Sequence, residues 1–124
     1  MRALSLKQQF AELVVSGRKK IELRKWRTGF RGEFFIHASK GVDEMAMKKF
    51  GFRLDELSGG KIVGKARLVG VKKYENKKEF DKDRELHLAD SSWGEYGFLL
   101  ENAERVEEVE CKGALGFWNY EETE

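Results

Sequence analysis

The stretch Gly17-Arg18-Lys19-Lys20-Ile21-Glu22-Leu23-Arg24 decides the fold, because a residue that can end a helix is followed directly by an alternating segment. Glycine is the usual residue just past the end of a helix. Ile21 and Leu23 then fall on one face of an extended chain, and Glu22 and Arg24 fall on the other. The stretch therefore predicts a strand over residues 20–26 that buries one face and presents charged groups on its other face.

Short strands and short helices alternate on both sides of this stretch. Residues 3–6 predict a strand, and the apolar stripe of residues 7–16 predicts a helix, for which Ser5 is a candidate cap or cap neighbour. Further strands are predicted over residues 33–39, 61–74, 95–102, 106–112 and 114–118, and further helices over residues 43–50 and 76–86. This order indicates an α+β, β-rich fold, a small barrel of five to six mostly antiparallel strands with two to three short flanking helices.

Length and composition narrow the class of protein. A chain of 124 residues with 40% hydrophobic residues suffices for one core, so we expect a single domain over residues 1–124. It has neither an 18-residue apolar run nor a signal-peptide pattern at its start, so we expect a cytoplasmic protein that does not bind membranes. Cys111 is the only cysteine, which excludes an intramolecular disulfide and a Cys-based zinc cluster. We expect no cofactor and no metal, since the two histidines are far apart.

The net charge of +2 conceals two oppositely charged ends. Residues 1–31 carry nine basic and two acidic side chains, a balance of +7, whereas residues 101–124 carry eight acidic and two basic side chains, a balance of −6. This asymmetry indicates a basic working end suited to an anion or a nucleic acid. The alternative is that both ends are solvated faces that fold against each other.

The side chains of Lys19, Glu22 and Arg24 are the main candidates for chemistry. The alternation places Glu22 and Arg24 side by side, and Lys19 at the strand entrance is free to point into the same space. Arg and Lys donors can hold a phosphate or a base edge, whereas a Lys or Glu with a shifted pKa can transfer a proton. An ion-pair ladder on an exposed strand is the structural alternative. Trp26 continues this face and is the favoured platform for a stacked base.

Further motifs follow in a fixed order along the chain. They are Ser5-Leu6-Lys7-Gln8, the stretch 17–24, Trp26-Arg27-Thr28, Arg31-Gly32, Ile36-His37-Ala38-Ser39-Lys40, Ile62-Val63-Gly64, Tyr96-Gly97-Phe98, Asn102 and residues 112–118. Together they resemble the ASCH (activating signal cointegrator homology) domain over nearly the whole chain, most specifically in the Gly-x-Lys-x-x-Glu-x-Arg core. The resemblance implies a PUA-like β-barrel, a fold used widely to bind RNA, with a cleft beside the barrel.

The residues and the resemblance together predict one basic cleft that holds RNA, another single-stranded nucleic acid or a nucleoside-sized ligand. The residues expected to contact this ligand are Lys7, Gln8, Lys19, Glu22, Arg24, Trp26, His37 and Lys40. His37 falls on the cleft side of its strand, and the alternative for it is a strand histidine satisfied by a neighbour. We expect the protein to be a monomer.

The resemblance also implies an enzymatic alternative. Some small bacterial relatives are amidohydrolases that remove the acetyl group from N4-acetylcytidine, with a Lys matching Lys19, a Thr at the position of Glu22 and a further Glu. Here Glu22 replaces the Thr, and Glu75, Glu79 and Glu95 all remain possible matches for the further Glu. Lys19 and Glu22 are therefore candidate catalytic residues only if the protein is an enzyme. A protein-interaction module is the third hypothesis, favoured if the acidic C-terminal residues cover the basic end.

Overall fold

The computed structural model describes residues 1–90 and 94–122, which form one six-stranded sheet with short helices around it. The strands are β1 (Arg2–Leu6), β2 (Ile21–Arg24), β3 (Gly32–Ala38), β4 (Lys61–Lys73), β5 (Tyr96–Glu110) and β6 (Phe117–Asn119). Their order is β2-β5-β4-β3-β1-β6. The β1–β3 pair is parallel, and the other four pairs are antiparallel. The predicted β-rich α+β fold is confirmed as a curled half-barrel.

Four short helices accompany the sheet in the described residues. They are α1 (Gln8–Val15), α2 (Glu44–Lys49), α3 (Lys77–Lys82) and α4 (Arg84–His87). The helix predicted over residues 76–86 is divided at Asp83, which ends α3 and precedes α4. Asn76 starts this segment, because its side chain accepts a hydrogen bond from the backbone N–H of Glu79. No described helix is long and apolar enough to cross a bilayer.

The main core lies between α1 and the concave face of the sheet. The apolar stripe that predicted α1 buries Val14 against Phe34 and Ile36 of β3 and Leu68 of β4. Gly64 allows this close approach, because a Cβ there would lie 2.3 Å from a Val15 methyl carbon. The register of β4 with β5 also shifts beside Gly64 and Gly70, since a glycine inside a strand favours a bulge.

The sheet curls until its two ends face each other. Arg24 at the end of β2 donates a hydrogen bond to the carbonyl of Ser5 on β1 at 3.0 Å. Trp26, two residues past β2, lies edge-on to Phe117 of β6 with 6.1 Å between ring centroids. Because β2 and β6 stand at opposite ends of the strand order, a cleft remains where the barrel does not close.

Four predicted strands were wrong in extent. Residues 96–110 form one continuous strand rather than two, and Asn102, with φ of +55°, marks a local irregularity instead of a break. The last strand covers Phe117–Asn119, so residues 114–116 are irregular rather than its first half. The strand predicted over residues 20–26 is limited to Ile21–Arg24. Ser5 lies inside β1 and does not cap α1, whose N-cap position is Lys7.

Candidate functional site

The open side of the half-barrel contains a cleft of about 1420 Å³. Its walls come from β2 and the residues after it, the end of β1, the start of α1, the loops flanking β3 and β4, and the segment between β5 and β6. The basic side chains lining it are Lys7, Arg24, Lys25, Lys40 and Lys112, and the acidic ones are Glu22, Asp43 and Glu110. The cleft is therefore positively charged on balance, which suits an anionic ligand.

A fixed arginine fork lies in the wall of this cleft. Arg24 Nε donates to Glu22 Oε2 at 3.2 Å, and Arg24 Nη2 lies 3.1 Å from the same oxygen. Nη2 also donates to the Ser5 carbonyl, and the guanidinium carbon lies 5.8 Å from the centre of the Trp26 ring. Since Glu22 is only 6% exposed, the strand alternation that placed the two residues side by side produces a partly desolvated and immobilised donor group.

Lys19 lies behind Glu22 rather than in the cleft, contrary to the expectation that its side chain is free to point there. It is 4% exposed, and its Nζ donates to the carbonyl of His87 at 2.5 Å. The same Nζ lies 3.9 Å from Glu22 Oε1. Burial lowers the pKa of Lys19, an effect that the Glu22 charge opposes and the Arg24 charge reinforces. In this position Lys19 lies beside Glu22 and does not line the cleft.

His37 is 2% exposed, lines the cleft and is satisfied by its neighbours. Its Nε2 donates to the Cys111 carbonyl at 2.7 Å, because a carbonyl can only accept. Nδ1 shares a hydrogen bond with the Ser5 hydroxyl at 3.0 Å, and Trp118 Nε1 donates to the same hydroxyl oxygen at 3.1 Å. His37 thus ties β1 and β3 to the chain that follows β5.

The other predicted contact residues lie around the cleft. Lys7 and Lys40 are exposed on its lining, and Trp26 lines it with 36% of its surface exposed. Gln8 lies outside the lining, although its amide donates to the carbonyl of Lys40 at 3.2 Å. The three glutamates considered as matches for the enzymes' further Glu lie outside the lining; they are Glu75, Glu79 and Glu95.

Sequence reasoning missed several lining residues. Lys25, Asp43, Lys112 and Leu115 all line the cleft, and none of them was predicted to contact a ligand. Gly113 and Gly116, on either side of Leu115, are typical of a loop rather than of the strand predicted there. These glycines could have indicated that Lys112 and Leu115 lie in or beside a loop.

The acidic end of the chain does not cover the cleft in the part of the chain that the structure describes. Two glutamates of β5 instead face lysines of β4. Glu104 Oε1 lies 3.3 Å from Lys65 Nζ, and Glu108 Oε1 lies 3.6 Å from Lys61 Nζ. Glu110 is the one acidic side chain among residues 101–122 that lines the cleft. Acidic C-terminal residues covering the basic end would have favoured a protein-interaction module. The described residues show no such cover over the cleft.

The comparisons with known proteins agree with this architecture. The family model described as "ASCH domain" matches residues 4–118. The chain belongs to the ASCH domain family. No curated protein matches this ASCH chain. The crystal structure of ASCH from Zymomonas mobilis has a TM-score of 0.62 at 18% identity, over 87% of this chain and 71% of that one.

Crystal structures of two point mutants of the Zymomonas mobilis protein are similar to this ASCH chain to the same degree. Their TM-scores are 0.63 and 0.61 at 19% and 20% identity, over 87% of this chain and 73% and 72% of those chains. At these identities the similarity shows the shared fold.

Proposed function

We propose that this ASCH domain binds RNA or another single-stranded nucleic acid in the cleft between β2 and β6. One observation carries the proposal: the cleft combines an immobilised guanidinium, a half-exposed indole ring and a rim of exposed lysines. These are the three kinds of group that single-strand binding uses, namely base-edge donors, stacking platforms and phosphate-binding cations. A double helix would offer no unstacked base to Trp26, so we propose a single-stranded or locally unpaired ligand.

The geometry supports a division of labour within the cleft. Arg24 is held by Glu22 and by the Ser5 carbonyl, so it can donate to a base edge without a large loss of side-chain entropy. Trp26 packs edge-on against Phe98 and Phe117, which leaves it a rigid surface on which a base can stack. Lys25, Lys40 and Lys112 are exposed on the lining and can neutralise phosphates.

The structure gives less support to an amidohydrolase that depends on Lys19. Substrate would have to reach a side chain that is buried behind Glu22 and already bonded to the His87 carbonyl. A general acid or base must come within hydrogen-bond distance of the group it serves. Nucleic-acid binding requires no such rearrangement, and it is the function that we propose.

Fluorescence anisotropy with a labelled single-stranded RNA tests the proposal. The test variant is Lys25→Ala/Lys40→Ala/Lys112→Ala, which removes three exposed cations from the cleft. The control is Lys73→Ala/Lys78→Ala/Lys82→Ala, which removes three exposed cations from β4 and α3. The two variants have the same net charge, so any difference between them reports position rather than total charge.

We expect the cleft variant to bind more weakly than the control and to lose salt dependence. For single strands each neutralised phosphate contributes about 0.7 to the slope of log K against log salt, so three lost contacts reduce it by about 2. Equal affinities and equal slopes for the two variants would place binding elsewhere on the surface. An absence of binding to RNA and to single-stranded DNA at low salt would refute the proposal.

A further inference from the structure

The segment between β5 and β6 carries an apolar side chain that packing in the described structure does not explain. Residues 111–116, which we name the strap, line the cleft, and Leu115 within the strap is 98% exposed. Single exposed hydrophobic residues are common on protein surfaces. Leu115 differs from them because it lies in the same cleft as Trp26 and Arg24.

Both ends of the strap are held by specific contacts. At its start, the Cys111 carbonyl accepts the His37 Nε2 proton, and a Cβ on Gly113 would lie 2.6 Å from His37 Nδ1 and from Ser5 Oγ. At its end, Gly116 has a φ of +64°, a conformation that favours glycine. Phe117 then packs against Trp26 and Phe98. The exposed Leu115 is therefore presented by an anchored segment.

Leu115 lines the same cleft as Trp26 and is joined along the chain to Phe117, which packs against Trp26. It precedes Phe117 by two residues, which an extended chain spans in about 7 Å at most, and the Phe117 ring centroid lies 6.1 Å from that of Trp26. Each of the two apolar side chains has a lysine near it in the sequence. Lys25 directly precedes Trp26, and Lys112 lies on the strap with Leu115. Both lysines line the cleft. Apolar groups beside phosphate-binding cations match a ligand with a planar base attached to a phosphate.

We propose that Leu115 and Trp26 form a subsite for one unpaired nucleic-acid base, with Lys25 and Lys112 holding its phosphates. This inference rests on the proposed function and names the part of the ligand that the cleft takes. Two groups carry the contact: Leu115 covers apolar surface of the base, and Trp26 stacks or packs against it. His37 acts as a positioning residue, because it holds the strap on which Leu115 lies. A free nucleotide and a nucleotide within a strand share this chemistry.

A matched pair of leucine substitutions tests the subsite. Leu115→Ala removes the proposed contact, and Leu54→Ala removes a leucine that is 60% exposed outside the cleft. Each variant is titrated with a labelled single-stranded RNA and with a fully abasic phosphodiester oligomer of equal length and charge. We expect Leu115→Ala to weaken RNA binding about tenfold, because three side-chain carbons lose their cover. Neither variant should change abasic binding more than about twofold.

The outcomes separate the subsite from the proposed function. If RNA binding is salt-sensitive and equally strong in Leu115→Ala and Leu54→Ala, the subsite is overturned and the proposed function stands. A loss in Leu115→Ala that is as large for the abasic oligomer would also overturn it, since the base would then play no part. No RNA binding by the unmodified protein would overturn both. In the supporting case, competition by a nucleoside monophosphate distinguishes a free nucleotide from a strand as the source of the base.

Discussion

Replacing Glu22 with Gln tests whether charge holds together the cluster beneath the cleft. Lys19 Nζ lies 3.9 Å from Glu22 Oε1, and the side chains are 4% and 8% exposed. At an effective dielectric constant of about 20, unit charges at that separation attract by about 4 kcal/mol. Because Glu22→Gln leaves Lys19 buried without its counter-charge, we expect the free energy of unfolding to fall by about 3 kcal/mol at pH 7.

The pH dependence of this loss has a definite sign. Burial already lowers the pKa of Lys19, and removal of the Glu22 charge lowers it further. In the window between the folded pKa of Lys19 and its ordinary value of 10.5, the unfolded chain binds more protons than the folded one. Stability therefore rises with pH in that window, and the Glu22→Gln variant should recover part of its loss between pH 7 and pH 9.5.

Urea denaturation of a double-mutant cycle provides the assay. Lys19→Met should cost only about 1–2 kcal/mol, because Glu22 keeps its bonds to Arg24 while the His87 carbonyl loses its donor. The variant carrying both substitutions should be more stable than the sum of the two single losses predicts, by about 2 kcal/mol or more. Additivity within about 0.5 kcal/mol would refute the reasoning, because it would mean that the two side chains are not coupled.

Three further predictions concern buried contacts of the described structure. Burial holds the pKa of His87 below its ordinary value of 6.5, so the unfolded chain takes up the proton first. Stability measured by thermal unfolding should therefore fall as the pH is lowered through and below 6.5. The same decrease in pH should reduce the stability of His87→Gln by a smaller amount. Gly113→Ala should lower the free energy of unfolding by about 1–3 kcal/mol in urea titrations, because its Cβ would lie 2.5–2.6 Å from His37 and Ser5 atoms; an unchanged midpoint would contradict the packing. Tyr74→Phe removes the 2.6 Å hydrogen bond to the Asp83 carboxylate and should cost about 1–2 kcal/mol by the same assay, with Tyr120→Phe as the control.

The strand at the cleft could be predicted from sequence because its alternation is strict. Ile21 and Leu23 are both buried, and Glu22 and Arg24 form the pair that their spacing predicted. The position of Lys19 could not be predicted in the same way. Its side chain is covered by the chain around α4, where the His87 carbonyl receives its proton. Which distant segment covers the entrance of a strand depends on tertiary packing, and local periodicity contains no information about it.

The extent of the strands near the C-terminus was predicted less well for a local reason. Residues 103–105, which include Glu104 and Arg105, were left as a break between two strands, although they contain neither glycine nor proline to end a strand. The sheet absorbs the irregularity through a positive φ at Asn102 and register shifts against β4. Conversely, residues 114–116 were assigned to a strand although Gly113 precedes them and Gly116 is one of them, and this error concealed the strap and Leu115.

Photo-crosslinking reports where on the protein surface a single strand binds, and so it tests binding in this cleft. A single-stranded RNA containing 5-iodouracil would be bound, irradiated and digested, and the crosslinked peptides would be mapped by mass spectrometry. We predict crosslinks to peptides that contain Trp26 and residues 113–118, and their loss in Lys25→Ala/Lys40→Ala/Lys112→Ala. Crosslinks confined to the outer faces of β4 and β5, or to Tyr74 and its surroundings, would contradict it.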